Sequence, residues 1–316
     1  MKRGTRTTLT ALCFLAPNFL GFCVFTLGPV AFSLGASFTN WTLVKSVPLR
    51  FVGFENFVKL FNTPDFWLYF INTIYLMLGM PVAIAGSLFL AIVLSQRLKG
   101  IVVYRTLFYL PSFTAGVALF ILWKKLYNPE FGPINLFLQT VLGLSVENTP
   151  GWLSSTRNLL GLAVEKVAIV SDQFGIGARD ALILMGIWTA VGGGNMLLYL
   201  AGISNIPREL YEAAAIDGAG VWARFRHVTW PQLAPTTFFI VIMSFIGGLQ
   251  GGFEQARVMT LGGPAGTTTT LSYYIYTKAF EEFQIGYASA IAWVLFTMIF
   301  AITLVNWRFG SRYVNY

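Results

Sequence analysis

The chain has 316 residues, of which 56% are hydrophobic and only 11% are charged. This balance excludes an ordinary water-soluble domain, in which about a quarter of the residues are charged. The formal net charge of +8 would suit a nucleic-acid-binding protein, but the basic residues flank long uncharged segments. That distribution is typical of orientation in a membrane. The two cysteines, Cys13 and Cys23, lie ten residues apart in one uncharged run and predict neither a disulfide nor a metal site.

Three membrane spans are predicted in the first part of the chain. No charged residue lies between Arg6 and Lys45, and prolines and glycines within this run predict that the first span ends near Phe38. The run is longer than the hydrophobic region of a signal peptide, so we expect it to be retained. The second span lies within Phe66–Gln96, and the third runs over about Leu107–Leu122.

A long region from Asn128 to Asp180 follows the third span, and we expect it to lie on the external side of the membrane. Its uncharged segment Phe131–Val146 is too short to cross a bilayer comfortably, which predicts a re-entrant or interfacial helix. A second apolar segment carries Glu165 and Lys166 in its middle. Burying these charges in lipid would be costly, so we predict no span there.

The second half of the chain predicts three further spans. They cover about Ala181–Ile203, Thr236–Phe253 and Ile285–Trp307. A third external region, Arg257–Phe283, separates the last two spans. The predicted fold class is therefore all-α, a polytopic membrane protein with six transmembrane helices.

The polar stretch Asn205–Pro235 between the fourth and fifth spans predicts two short helices. The first covers Arg208–Ile216, and the pair Asp217-Gly218 then favours a turn. The second is predicted over Val221–Val228, because a proline follows shortly after it. The start of the first helix is predicted by Pro207 at the first helical position and by Ser204 or Asn205 as the N-cap.

An ordered set of residues within this stretch points to a known family. The set is Glu212, Ala213, Ala214, Asp217, Gly218, Ala219, Phe225, Pro231, Leu233 and Pro235. It resembles the EAA loop of ABC-importer permeases, which is the cytoplasmic coupling helix that docks on an ATPase subunit. The resemblance implies that the first seven of these residues form the ATPase-coupling site. Gly262-Gly263-Pro264 and Gly286–Ala290 are similar to the carbohydrate-importing branch, the maltose and glycerol-3-phosphate type.

The resemblance implies an organisation and a set of partners. Residues 1–68 would form the first transmembrane helix and first periplasmic segment, and 69–316 the permease core, with the EAA loop at 205–235 and a periplasmic insertion at about 128–180. Expected partners are a second homologous permease, two copies of an ABC ATPase, a periplasmic or lipid-anchored solute-binding protein, membrane lipid and a carbohydrate, with no nucleic acid. The region 153–179 is hypothesised to contact the solute-binding protein.

The expected location is the bacterial inner membrane with both termini in the cytoplasm. This orientation puts eleven of the 21 Lys and Arg residues inside. The inside segments are about half as long as the outside ones in total, so the density of basic residues favours it.

Catalytic chemistry is not expected in this polypeptide. No GxxxxGK[ST] phosphate loop occurs, so ATP hydrolysis is assigned to a partner that binds the ATP and Mg²⁺, and no cofactor or metal is expected here. The interiors of the first, second and sixth spans hold no charge, which argues against a proton-driven carrier. The alternatives are a permease for glycerol-3-phosphate or another small polyol, a stand-alone secondary carrier or channel, and an intramembrane enzyme.

Polar residues at glycine-rich breaks in the spans are the predicted substrate contacts. Amide and hydroxyl groups suit sugar hydroxyls, which need donors and acceptors without net charge. The absence of a central base in the spans favours a neutral sugar over a phosphate ester. The alternative is that the small residues only permit close helix packing. The candidates are Ser112, Thr114, Gly192, Gly193, Asn195, Ser244 and Gln250.

Overall fold

The computed structural model describes residues 3–44, 47–96, 99–114, 116–162 and 174–310, and within these ranges the chain is helical with no strand. Glu165, Lys166, Arg97 and Arg312 lie outside the described residues. The helices are α1 (Thr10–Ser37), α2 (Glu55–Asn62), α3 (Pro64–Ser95), α4 (Ile101–Phe113), α5 (Gly116–Leu126), α6 (Pro133–Leu142), α7 (Ala178–Ser204), α8 (Arg208–Ile216), α9 (Val221–Gln232), α10 (Ala234–Gln250), α11 (Phe253–Gln255, continued by a π turn Ala256–Thr260), α12 (Leu271–Tyr276, continued by a π turn Thr277–Glu281) and α13 (Ile285–Gly310).

The membrane spans agree in number with the sequence prediction. The helices α1, α3, α7 and α13 are each long and apolar enough to cross a bilayer alone. Two bent pairs, α4 with α5 and α9 with α10, pass the same test together; one span in each pair, with α10 as the crossing part of the second, brings the described total to six. The chain is therefore a polytopic all-α membrane protein, as predicted.

The third and fifth spans differ in detail from the prediction. The third was predicted over about Leu107–Leu122, and in the structure it is divided between α4 and α5, which meet at a bend of more than 40° just after Pro111. A proline removes one backbone hydrogen bond, which favours a break there. The fifth ends at Gln250 rather than Phe253, because Gly252 adopts a left-handed conformation with φ of 85°.

The segment predicted as a re-entrant or interfacial helix contains α6, which covers Pro133–Leu142 and is too short to span. Its Asn135 accepts a hydrogen bond of 2.6 Å from the indole of Trp152. Trp152 in turn belongs to a buried apolar cluster with Trp123 and Tyr127. The start of the region predicted to be external is thus held against the fourth span, whose residue Ala181 accepts a hydrogen bond from the Tyr127 hydroxyl at 2.8 Å.

The chain forms two compact units, one of Met1–Pro64 with Tyr274–Phe296 and one of Asp65–Tyr273 with Thr297–Tyr316. In the first unit, the buried amide of Asn56 donates hydrogen bonds of 2.8 Å to the carbonyl oxygens of Ser37 and Thr39. The backbone N–H of Gly286 donates to the Trp41 carbonyl at 2.8 Å. These bonds fix the end of α1 against the start of α13.

The second unit contains the core that positions the functional sites. Its buried cluster draws Leu94 from α3, Tyr199 from α7 and Ile240 from α10. Glycines bring α3 and α7 close together, because a Cβ added at Gly86 would lie 2.7 Å from Val191 Cγ2. The second, fourth and fifth spans therefore form one packed group.

Candidate coupling surface and transport cavity

The first helix of the polar stretch, α8, covers Arg208–Ile216 as predicted. Its predicted start is wrong by one residue, since Pro207 has φ of −57° and ψ of 134° and stands before the helix rather than in it. Neither predicted N-cap serves α8, because the preceding span runs on to this point. The Ser204 hydroxyl donates to the Leu200 carbonyl at 2.5 Å, and Asn205 caps the end of α7.

The turn after α8 is held by paired backbone hydrogen bonds. The N–H of Ala219 donates to the Ala214 carbonyl at 2.9 Å, and that of Gly218 donates to the Ala215 carbonyl at 3.1 Å. This pattern is a Schellman motif, which requires a left-handed residue after the helix. Gly218 supplies it with φ of 77°, and a Cβ there would meet open space. The glycine is needed for its backbone, not for clearance.

The second helix, α9, is longer than predicted. It runs through the expected stop at Val228 and includes Pro231. A π turn over Phe225–Thr229 precedes the proline, and the N–H of Trp230 donates to the Phe225 carbonyl five residues back. The wider turn already departs from regular α geometry, so the missing N–H of the proline does not end the helix.

Side-chain contacts join the two helices and fasten them to the core. The hydroxyl groups of Tyr211 and Thr229 share a hydrogen bond of 3.0 Å. Arg224 Nε donates to the Ala219 carbonyl at 2.8 Å, which closes the turn from the other side. Tyr211 and Phe225 pack against the buried cluster of the second, fourth and fifth spans. We call α8, the turn and α9 the coupling element.

The outward face of the coupling element combines small residues with three large apolar ones. Ile216, Val221 and Trp222 are 87%, 86% and 69% exposed. Sequence reasoning missed the first two, although large apolar residues beside a turn in a polar loop are a usable signal. Of the predicted coupling residues, Glu212, Ala213, Asp217 and Gly218 are exposed, whereas Ala214, Ala219 and Phe225 are half-buried. We call Ile216, Val221 and Trp222 the knob. An exposed apolar surface of this kind with carboxylates beside it is suited to docking on another protein.

A cavity of about 310 Å³ lies among the helices of the second unit. Its polar lining comes from Thr73 on α3, Asn195 on α7, Ser244 on α10, and Gln255 and Thr270 beyond it. Within the described chain, the side chains of Asn195, Ser244 and Gln255 make no hydrogen bond. No charged residue stands in the described lining. The cavity therefore offers free hydroxyl and amide groups to an uncharged, hydroxyl-rich molecule.

The predicted substrate residues are not all brought together. Asn195 and Ser244 line the cavity. Ser112, Thr114 and Gln250 are exposed and do not line it.

The two remaining candidates are Gly192 and Gly193. They lie where α7 is interrupted between Val191 and Gly194, and they do not line the cavity. A Cβ added at Gly192 would collide with the carbonyl oxygen of Phe108 on α4. Gly192 therefore permits close packing of α7 against α4. This agrees with the alternative stated for the sequence, that the small residues only permit close helix packing.

Three lining residues escaped sequence reasoning: Thr73, Gln255 and Thr270. The polar pair Asn72-Thr73 inside an otherwise apolar span was a usable signal. The run of four threonines Thr267–Thr270 was a second usable signal, since in the structure all four are buried and Thr270 lines the cavity. Among the described residues no group of three or more His, Cys, Asp or Glu side chains is placed to hold a metal ion.

Comparison with known proteins places the chain in a family. Residues 57–312 match the family model described as "Binding-protein-dependent transport system inner membrane component". The probable ABC transporter permease protein YesP of Bacillus subtilis is 33% identical over 316 residues, covering 98% of this chain and 93% of YesP. The lactose transport system permease protein LacF of Rhizobium radiobacter is 33% identical, covering 93% of this chain and 91% of LacF. The sn-glycerol-3-phosphate transport system permease protein UgpA of Pectobacterium atrosepticum is 33% identical, covering 84% and 82%.

Solved structures share the fold. A chain in the crystal structure of a bacterial ABC transporter involved in the import of alginate superimposes with a TM-score of 0.79 at 22% identity, covering 99% of both chains. A second, from an alginate ABC transporter in complex with an alginate-bound periplasmic protein, gives 0.77 at 23% identity, covering 96% of this chain and 94% of that one. With the family match over residues 57–312, the chain belongs to the binding-protein-dependent transport system inner membrane components, the permeases of ABC importers.

Proposed function

We propose that this chain moves a neutral carbohydrate across the inner membrane and takes its energy from a separate ATPase that docks on the coupling element. One observation carries the proposal: the helix that leaves the coupling element, α10, also lines the uncharged cavity through Ser244. A protein docked on the exposed knob at Ile216, Val221 and Trp222 would therefore act on a helix that contacts the transported molecule.

The knob has the chemistry of a docking surface rather than of a solvated loop. Three large apolar side chains stand exposed on an element that we place outside the membrane, and burying them on a partner is favourable. Glu212 and Asp217 flank them and can pair with basic groups of the partner. The EAA-type sequence and the relatives' names support an ABC ATPase as that partner. This assignment puts the coupling element and both termini in the cytoplasm.

The transported solute is assigned from the cavity. LacF is named for lactose and UgpA for sn-glycerol-3-phosphate, so the relatives leave a neutral sugar and a phosphate ester open. A phosphate ester would require a basic residue or a cluster of N–H groups, and the described lining offers only hydroxyl, amide and apolar groups. Asn195 and Gln255 instead suit sugar hydroxyls, so a neutral carbohydrate is favoured.

The complete importer would contain a second permease, two ATPase copies and a solute-binding protein. The family description names dependence on a binding protein, which supports the last of these. Within the described part of the region 153–179, the N–H of Leu159 donates to the Tyr75 hydroxyl of the second span at 3.2 Å, and that hydroxyl donates to Asp180 of the fourth span at 2.5 Å. A binding protein that contacted this region would thus contact a segment that is hydrogen-bonded to the helices lining the cavity.

Purification and transport measurements together test the proposal. A tagged form of the chain, taken from membranes in mild detergent, should co-purify with a chain that contains an ATP-binding phosphate loop. Vesicles that hold the complete complex and the binding protein should accumulate labelled sugar only with ATP inside. Accumulation by this chain alone would overturn the proposal, and uptake of glycerol-3-phosphate but no sugar would overturn the solute assignment.

A further inference from the structure

A second and larger cavity lies behind the coupling element. It measures about 720 Å³, opens to the surface, and is lined by the ends of α3 and α7, the start of α4, and residues of α8 and α9 that include the exposed Val221. Three arginines from three different helices line it: Arg105, Arg208 and Arg224. No Asp or Glu stands in the described lining. Neither the transport cavity nor the docking knob explains this concentration of positive charge.

Two of the guanidinium groups are anchored at the cavity wall with most donors unused. Arg105 Nη2 donates to the Leu94 carbonyl at 2.8 Å, and Arg224 Nε donates to the Ala219 carbonyl at 2.8 Å. A guanidinium carries five N–H donors, so each retains about four beyond its anchoring bond. Arg208 has no hydrogen-bond or ion-pair partner among the described residues. The site therefore presents many donors and no internal counter-charge.

Arg105 and Arg208 are exposed and Arg224 is half-buried, and an anion bound in the cavity would be attracted to all three permanent positive charges. Guanidinium groups bind phosphate through paired N–H···O bonds, which makes a phosphate group the best-matched anion. The acidic residues of the coupling element do not serve, since Glu209, Glu212 and Asp217 lie outside the cavity lining.

We propose that this cavity binds the phosphate group of an anionic membrane lipid, and that the bound lipid ties the coupling element to the membrane helices. Apolar residues line the same cavity, among them Leu197, Leu200 and Ile203, so a glycerol backbone and the start of an acyl chain have a surface to lie on. A free phosphate ion would gain nothing from them. The proposal rests on the proposed function only for the side of the membrane, where basic pockets between helices meet anionic headgroups.

The lipid would bridge the third span and the coupling element. Arg105 belongs to the third span, whereas Arg208 and Arg224 belong to the two helices of the coupling element. A phosphate held by all three would stiffen the connection through which a docked ATPase acts. The coupling of ATP hydrolysis to transport should then depend on the lipid composition of the membrane.

The test uses the full chain, purified with whatever subunits remain bound to it. Thermal unfolding and native mass spectrometry are followed as phosphatidylglycerol, phosphatidylcholine or inorganic phosphate is added. The variants are R105Q combined with R208Q, and R226Q as the matched control, because Arg226 is exposed on the same element and does not line the cavity. Circular dichroism and gel filtration establish that each variant is folded.

We expect phosphatidylglycerol to bind and to raise the unfolding temperature of the wild type and of R226Q. In the double variant its affinity should fall by about fivefold for each arginine removed. Equal binding by the double variant and R226Q would overturn the proposal, as would stabilisation by inorganic phosphate as large as that by the lipid. If only the double variant loses lipid binding but none of the three forms, the wild type included, shows ATP-driven uptake, the proposed function is refuted and the lipid site is supported.

Discussion

The hydroxyl of Tyr211 lies 3.0 Å from Thr229 Oγ1, a hydrogen bond that joins residues 18 positions apart in the chain. It connects the two helices of the coupling element beside the larger cavity, which both residues line. Tyr211 is half-buried and Thr229 is buried. The coupling element is thus a braced unit, and its stiffness can be altered without touching its docking surface.

Replacing Tyr211 with Phe should loosen this brace. The ring that packs on the core is kept and the hydrogen bond is lost, which costs about 1 kcal/mol. We expect a lower unfolding temperature and more ATP hydrolysed per molecule transported. Thr229→Val should give the same loss, and the double variant should lose no more than either single one. Additive losses in that cycle would show that the two hydroxyl groups do not interact.

Gly218→Ala should disturb the turn through the backbone alone. An L-residue in the left-handed region costs about 1–2 kcal/mol. Gly220→Ala is the matched control, because Gly220 has φ of −69° and neither added Cβ meets an atom within 4 Å. Uptake by Gly218→Ala should fall while the protein level in the membrane is kept. If the two variants behave alike, the left-handed turn is not what the coupling element requires.

Asn195→Ala should weaken solute binding, because its free amide faces the uncharged cavity. A lost neutral hydrogen bond contributes about 0.5–1.5 kcal/mol, which corresponds to a rise in the KM for uptake of about two- to twelvefold. Ser112→Ala is the comparison, since its hydroxyl is exposed and donates to the Tyr109 carbonyl at 2.7 Å. Concentration-dependent uptake by both variants measures the difference. A larger rise for Ser112→Ala would mean that the solute path runs elsewhere.

Gly86→Ala should push the second and fourth spans apart. Its Cβ would lie 2.7 Å from Val191 Cγ2, and overpacking of this kind costs about 1–3 kcal/mol. The combination with Val191→Ala should restore much of the unfolding temperature. Gly35→Ala serves as the control, since a Cβ there meets nothing within 4 Å. Failure of the second substitution to rescue the first would refute direct contact as the cause.

Much of this architecture was predictable from the sequence because uncharged runs report membrane spans directly. The helix Arg208–Ile216 was also predictable, since Asp217-Gly218 marks its end with local chemistry. The true end of α9 was not, because the π turn before Pro231 depends on packing of Phe225 against the core. A linear pattern cannot report such packing.

The substrate residues show the same limit. Ser112 and Asn195 look alike in sequence, each a small polar residue beside a break in a span. Which of them lines a cavity depends on the direction that each helix face takes in the folded chain. Gly192 and Gly248 likewise look alike, yet one packs against a backbone carbonyl and the other lines the cavity.

The bend between α9 and α10 has a mechanical consequence. Leu233 sits at this 65° bend and is fully buried, and backbone hydrogen bonds continue through it from Thr229 to Thr237. Trp222 lies eleven residues before Leu233 and Ser244 eleven residues after it, about 16 Å each way along a helix. These two residues therefore lie about equally far on either side of the bend. With the bend held by these hydrogen bonds, we expect a tilt imposed at Trp222 to displace Ser244, which lines the uncharged cavity.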